Sequence, residues 1–359
     1  MSSMHVVFRV DASVAIGTGH LMRCLTLADA MKPQNIQVTF VCRKSPGSMV
    51  ELIGCRGYQC VCLDGPIGSV EADAEETTAA LLSSFAGGVC WLVVDHYGLD
   101  ARWEALMRPI ARKIMVIDDL ANRAHDCDLL LDQNFYAGFE SRYVGRVADS
   151  TRCLLGPAHV LLRPEFLEAC RTLRRRDGTV RRILVFFGGS DPTNQTLRVL
   201  TGIDALQRPD IRVDAVVGSA NPHREDVRAF CDARPWASFH CQILNMAELI
   251  AAADLGVGAG GAAMWERCAL GLPTLTVVFV DNQLQTTQDV ATTGAIAYLG
   301  WASNLSSADY AAAIRGLLDR PDELVSISTE ALKLIDASND GAELVIRAMN
   351  EITNARLSG

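Results

Sequence analysis

Strand-like apolar runs and helical stretches alternate along nearly the whole chain, and this alternation constrains the fold more than any other feature. In the first half, Val6-Val7-Phe8, Gln37 to Cys42, Tyr58 to Leu63, Cys90 to Val94, Lys113 to Ile117 and Leu129 to Leu131 read as strands. Helical spacing follows the first of them (Leu21, Leu25, Ala28, Met31) and recurs over 49–55, 70–85 and 101–111. Strand, loop and helix repeated in this order build a parallel sheet with helices on both faces. The order breaks between about Leu154 and Thr179. Pro164 to Arg176 is predicted as a helix whose basic end, Arg174-Arg175-Arg176, is solvated and favoured by the helix dipole. Alternation then resumes, with strands predicted at 182–187, 212–217, 237–241, 254–258, 273–280 and 295–299. Helices are predicted at 193–206, 223–233, 246–253, 264–270, 285–293, 307–319 and 341–353. The expected fold is α/β: two Rossmann-like doubly wound domains with a cleft between them. The first spans 1–160, a connecting helix spans 161–180, and the second spans 181–359. A chain of 359 residues is long enough for two such cores.

The formal charge of -9 argues against nucleic acid and anionic membrane surfaces as partners held by bulk attraction. An acidic chain that binds an anion must do so locally, through loop amides, helix starts and a few placed cations. The 12 cysteines contain no CxxC pair, so they read as reduced thiols of a cytoplasmic protein rather than as a zinc site or a disulfide framework. No signal-like leader or apolar run of membrane-spanning length is visible, so membrane insertion is not expected. The sequence leaves the oligomeric state open.

Polar residues cluster where strands end, the edge at which open α/β sheets bind ligands. After the first strand come Asp11 and the segment Gly17-Thr18-Gly19-His20, with His20 at the start of a helix. Gly17 and Gly19 are expected to keep side chains away from His20 and to allow positive φ. Later strands run into Asp95-His96-Tyr97, Asp118-Asp119 and Asp132-Gln133-Asn134, which together suggest a polar substrate pocket. Asp118-Asp119 also fits a magnesium site or a capped turn. In the second half, Gly258-Ala-Gly-Gly-Ala-Ala-Met-Trp-Glu266 passes from strand through glycine turn to helix. Bare amides and a helix start suit a diphosphate, and Glu266, deeper in the helix, can accept from a ribose. Gly188-Gly-Ser-Asp-Pro-Thr-Asn194 reads as a second anion loop or as an ordinary N-cap, and the two are compatible. Asp281-Asn282-Gln283 reads as a polar loop at a strand end.

Taken in order, FRVDASVAIGTGHLMRC, VVDHYGLD, IDD, LLDQN, GGSDPTN, GAGGAAMWERCALGLP and DNQ resemble the UDP-sugar hydrolases of pseudaminic acid synthesis, the PseG type. The glycine-rich GAGGAAMWERCALGLP segment is also similar to the nucleotide-sugar loop of MurG-like transferases. The resemblance covers about Phe8 to Gln283. It implies a GT-B architecture with the nucleotide mainly on the second domain. It also implies hydrolysis of UDP-2,4-diacetamido-2,4,6-trideoxy-β-L-altropyranose with inversion at the anomeric carbon. His20 matches the family's catalytic histidine, Glu266 and Asn282 its nucleotide-binding pair, and Tyr97 a sugar-contacting tyrosine. No cofactor or metal is implied, which weighs against magnesium at Asp118-Asp119. Glycine and alanine occupy 260–263 where some relatives carry serines, so phosphate is expected on backbone amides.

The expected sugar pocket is therefore Asp11, Gly17, Gly19, Arg23, Tyr97 and Asn134 around catalytic His20. The expected UDP site is Gly188, Gly189, Ser190, Ala259, Gly260, Gly261, Ala262, Glu266, Asn282 and Gln283. A neutral imidazole can take a proton from water near neutral pH, and UDP is a stable anionic leaving group. Asp11 is a candidate to orient His20. Two alternatives remain: a GT-B glycosyltransferase using a UDP-sugar donor, and a non-catalytic nucleotide-sugar binding protein, which would have no need of His20.

Overall fold

A computed structural model of the chain describes residues 4–11, 19–44, 49–65, 68–85, 88–336 and 340–355. Gly17 lies outside these residues. The chain divides into two compact units.

Among the described residues the first unit holds seven strands: β1 (His5–Val10), β2 (Gln37–Arg43), β3 (Gln59–Leu63), β4 (Val89–Asp95), β5 (Ala111–Ile117), β6 (Leu129–Asp132) and β7 (Arg152–Leu155). All pair in parallel, in the order β3-β2-β1-β4-β5-β6-β7. Helices α1 (Gly19–Met31), α2 (Val50–Cys55), α3 (Val70–Ser84) and α4 (Ala101–Met107) cross between strands. β1 is buried from Val6 to Val10, and alternate residues serve different cores: Val6, Phe8 and Val10 meet α1, whereas Val7 joins Leu92, Val94 and Trp103 on the other face. The four-residue strand β7 was not foreseen, because RCLL is too short to show a period.

The second unit begins with α5 (Pro164–Cys170) and carries β8 (Arg182–Phe186), α6 (Gln195–Asp204), β9 (Arg212–Val217), α7 (Arg224–Asp232), β10 (Ala237–Cys241), α8 (Met246–Ala252), β11 (Leu255–Ala259), α9 (Ala262–Ala269), β12 (Thr274–Val278), α10 (Asp281–Thr292), β13 (Ala297–Trp301), α11 (Ser307–Leu318) and α12 (Pro321–Leu334). Its parallel order, β10-β9-β8-β11-β12-β13, is the dinucleotide-fold order 3-2-1-4-5-6. Its core gathers Ile183 and Val185 of β8, Val213 and Ala215 of β9, and Val257 of β11 against Val199, Ile203 and Tyr310 from the helices. α12 was also missed, although Pro321 at its first turn and Asp322-Glu323 behind it are helix-start signals.

Three expectations about boundaries change. Residues 162–180 belong to the second unit, not to a free connector. α5 stops at Cys170, so the arginine run is no helix end. Arg176 is buried there, donating to the carbonyls of Ile250, Ala253, Leu270 and Gly271. The last helix, α13 (Gly341–Asn354), returns to the first unit instead of closing the second. There Ala342, Val345, Ile346, Ala348 and Met349 enter the α1 side of the core, and the Trp91 indole donates to Thr353 Oγ1 at 2.9 Å.

Candidate active site and nucleotide loop

Each sheet reverses its strand order once, between β1 and β4 in the first unit and between β8 and β11 in the second. Ligands of doubly wound sheets bind at such switch points, beyond the carboxyl ends of the strands. His20 follows β1, and Asp95 is the last residue of β4, paired in register with Val10. The two side chains meet, His20 Nδ1 to Asp95 Oδ1, at 2.5 Å. A carboxylate only accepts, so Nδ1 carries the hydrogen and the neutral ring keeps Nε2 as its proton acceptor. Among the described residues Nε2 has no hydrogen-bond partner.

Arg23, one turn further along α1, fixes Asp95 from the side. Its Nε donates to Oδ2 at 2.6 Å and its Nη2 to Oδ1 at 2.7 Å. Burial works against the Asp95 charge, but Arg23 and His20 outweigh it and hold its pKa well below the usual carboxylate range. Arg23 Nη1 also reaches Asp119 Oδ2 at 2.9 Å, and Asp119 Oδ1 accepts from the Tyr97 hydroxyl at 2.8 Å. The Tyr97 ring stands edge-on to the imidazole, with centroids 4.5 Å apart. His20, Arg23 and Tyr97 are thus brought together, with Asp95 and Asp119 as the joints. Gly19 opens α1 without a left-handed φ, and none of the described residues lies within 4 Å of where its β-carbon would stand, so it leaves space toward them.

Asp11 does not orient His20. It accepts from Arg9 at 2.5 and 3.1 Å and from the Arg43 amide at 2.8 Å, and Arg9 is shared with buried Asp73. His96 stands 3.5 Å from Asp11, and burial together with Arg9 pushes its pKa down to about 4. Asp118 and Asp119 diverge. Asp118 turns into the unit toward Arg123 at 2.8 Å, the Ala121 amide and Tyr143. Among the described residues no three His, Cys, Asp or Glu side chains form a metal-ligand group. Asn134 is half-buried, its backbone N–H donating to Asp132 Oδ1 at 3.1 Å. Burial, aided by the Asp119 charge, pushes Asp132 up to about 7.

In the second unit the glycine loop joins β11 to α9. Gly261 caps the helix with φ 129° and ψ −160°, a conformation reserved for glycine. Gly260 contributes differently from expectation. Its amide is tied to the Val277 carbonyl at 2.8 Å, so it offers no donor. What it offers is a missing side chain, since a β-carbon there would stand 2.2 Å from Thr287 Oγ1. The orphan amides of a helix start fall at Ala262 and Ala263. Gln283 packs beside Gly261, its Oε1 accepting from the Phe279 amide at 3.2 Å. Asp281-Asn282-Gln283 is the first turn of α10 rather than a loop, and Asn282 is exposed on it.

Glu266 faces Arg163, which donates from Nη2 and Nε to the same oxygen, Oε1, at 3.0 and 3.2 Å. Oε2 has no hydrogen-bond partner among the described residues, so a vicinal diol can be accepted there. Burial raises the Glu266 pKa, and Arg163 opposes the rise. Arg163, lying 103 residues away in the sequence, carried no local signal. At the other loop, Asn194 is the N-cap of α6, its Oδ1 accepting from the Leu197 amide at 3.3 Å, while Asp191 also accepts from the Gln195 and Thr196 amides at 2.8 and 2.9 Å. Gly188 takes φ 91°, and Gly189 presses on Gly218, where a β-carbon would stand 2.3 Å from the Gly189 carbonyl. Gly218 was not anticipated; Val217-Gly218-Ser219 after a strand was its signal. Ser190 is half-buried beside this contact.

Comparison with known proteins places these features. Residues 183–338 match the glycosyltransferase family 28 C-terminal domain. The spore coat polysaccharide biosynthesis protein SpsG of Bacillus subtilis is 28% identical over 305 residues, 83% of this chain and 84% of SpsG. The UDP-2,4-diacetamido-2,4,6-trideoxy-beta-L-altropyranose hydrolase of Campylobacter jejuni is 26% identical over 293 residues, 81% of this chain and 97% of that enzyme. The crystal structure of MurG from Acinetobacter baumannii superposes with a TM-score of 0.65, covering 96% of this chain and 99% of MurG at 14% identity. No described helix is long and apolar enough to cross a membrane. The chain therefore has the GT-B fold, with a second unit similar to the C-terminal domain of family 28 glycosyltransferases.

Proposed function

We propose that the chain hydrolyses a UDP-linked diacetamido-trideoxy hexose, UDP-2,4-diacetamido-2,4,6-trideoxy-β-L-altropyranose, to UDP and the free sugar. The observation that carries this reading is the Asp95–His20 pair at the first switch point, which leaves Nε2 as a base at the edge where a sugar is expected. Likeness to the Campylobacter jejuni hydrolase supports the substrate class. In this reading the second unit holds UDP: amides at Gly261 to Ala263 and the loop at Gly188 to Ser190 meet the diphosphate, and Glu266 Oε2 accepts from the ribose. Asn282 and Gln283 complete the nucleotide contacts. Tyr97 and Asn134 line the sugar side, with Arg23 and Asp11 as framework.

Nε2 takes a proton from water as the water oxygen bonds to the anomeric carbon. The bond from that carbon to the diphosphate oxygen breaks, and its electron pair leaves with UDP. A single displacement inverts the anomeric centre. Positive charge building on the ring is met by the carboxylates of the Asp95–Asp119 network, and charge on the leaving group by the loop amides. The resemblance to pseudaminic acid enzymes implies that the free sugar serves pseudaminic acid synthesis in the cytoplasm.

A second reading, glycosyl transfer from a UDP-sugar donor, is favoured by the family 28 match. Incubation with the UDP-sugar and no acceptor separates the two, because only a hydrolase releases stoichiometric UDP at an undiminished rate. Glu266→Ala is expected to weaken UDP binding about tenfold by calorimetry, the loss of a charge-assisted bond. Unchanged affinity would remove Glu266 from the nucleotide site.

A further inference from the structure

Two arginines are fully enclosed in the second unit, and they differ. Arg176 engages four main-chain carbonyls. Arg267, on α9 and 2% exposed, makes a single hydrogen bond among the described residues, from Nη2 to the Ala259 carbonyl at 2.6 Å. Its Nε and Nη1 are buried with no partner among the described residues, and no carboxylate there lies within ion-pair distance of it. The adjacent acid, Glu266, is already held by Arg163. Burial lowers the Arg267 pKa only to about 10, so it remains a cation at neutral pH.

The glycines of β11 make room for this charge. A β-carbon at Gly258 would stand 2.9 Å from Arg267 Nη1, and one at Gly256 would stand 3.4 Å from its Cδ. The guanidinium therefore lies directly behind Gly258 and Ala259, the residues that lead into the glycine loop. Thr287 Oγ1, also buried and without a partner, lies beneath the same loop at Gly260. Glu266 attracts this cation from beyond contact, but a buried cation with no ion pair is still unfavourable, and the arrangement is compensated further when an anion settles on the other side of the loop.

Resting on the nucleotide reading above, we propose that Arg267 is a positioning residue for the diphosphate: a fixed cation behind the glycine loop that selects ligands by phosphate charge and orients the Ala259 peptide. It does so through the loop, without touching the ligand. The contribution should therefore grow with each phosphate added to the nucleoside, because the attraction scales with ligand charge in a low-dielectric setting.

Calorimetry with uridine, UMP and UDP tests this on the full-length wild type, Arg267→Met, Arg267→Gln and Arg267→Lys. Arg267→Gln keeps a donor for Ala259 and guards against a folding failure of the methionine variant, with melting temperature measured for each. The expected result is a UDP affinity loss of about tenfold or more in the neutral variants, a smaller loss for UMP and little change for uridine, with Arg267→Lys near wild type. Equal losses for all three ligands, or unchanged UDP affinity in a folded neutral variant, would overturn the proposal. Wild type that binds no UDP would overturn the nucleotide reading itself, and this inference with it.

Discussion

Replacing His20 by Ala or Asn is expected to abolish hydrolysis of the UDP-sugar while leaving UDP affinity within about twofold of wild type. The base sits on α1 in the first unit, whereas the residues proposed for UDP lie in the loop after β8, in the glycine loop and on α9 and α10 of the second. A positioned general base contributes roughly 10²–10⁴-fold, so turnover should fall at least a hundredfold. The imidazole also fills part of the space beside the Tyr97 ring, so the asparagine variant, closer in polarity, separates lost chemistry from lost packing. Steady-state release of UDP measures the first quantity and calorimetry with UDP the second. A variant that turns over near normally would end the base assignment.

The second large effect belongs to Asp95→Asn. Asp95 Oδ1 receives His20 and Arg23 together, and Oδ2 receives Arg23 again. An amide in its place must put its NH₂ group against one of them. Turned toward His20, it forces the hydrogen onto Nε2 and removes the acceptor that water needs. Turned toward Arg23, it sets donor against donor in a buried site. Loss of a correctly tautomerised histidine reduces turnover by roughly 10³–10⁴-fold. Among the described residues Arg23 would keep only Asp119 as counter-ion, so stability should also fall, by about 3 kcal/mol, the lower end for a broken buried pair. Kinetics and thermal melting read the two effects separately. Wild-type activity in a folded Asp95→Asn variant would contradict the assignment of Asp95 as the histidine's anchor.

Much of the fold could be read from the chain because parallel strands buried on both faces leave continuous apolar runs, as in Cys90 to Val94, and glycines or acids mark their ends. His20 was visible for the same reason: a strand, a glycine segment and a helix start locate it without knowledge of any partner. Asp95 was visible as a strand-end acid on the same edge, but not as the anchor of His20. Asp95 lies 75 residues away and becomes a neighbour only when β4 pairs with β1, which depends on strand order and not on local pattern. Asp11, nearer in sequence, was the natural candidate, but Arg9, two residues away, claims it. Arg163 and Glu266 repeat the lesson across 103 residues. The glycine loop was legible as a loop, but the division of labour within it was not. Gly260 proves to be a packing residue and Gly261 a conformational one, a distinction set by Thr287 and by backbone torsion. α13 was legible as a helix, but its docking on the first unit was hidden, because an amphipathic face does not declare which core it will join.

The most direct measurement of the central claim uses the UDP-sugar in oxygen-18 water, with no acceptor, followed by mass spectrometry of both products. Hydrolysis through a water activated at the anomeric carbon predicts one heavy oxygen in the free sugar and none in UDP. Label in the nucleotide would mean attack at phosphorus, and no UDP release without an added acceptor would mean transfer; either result would contradict the account.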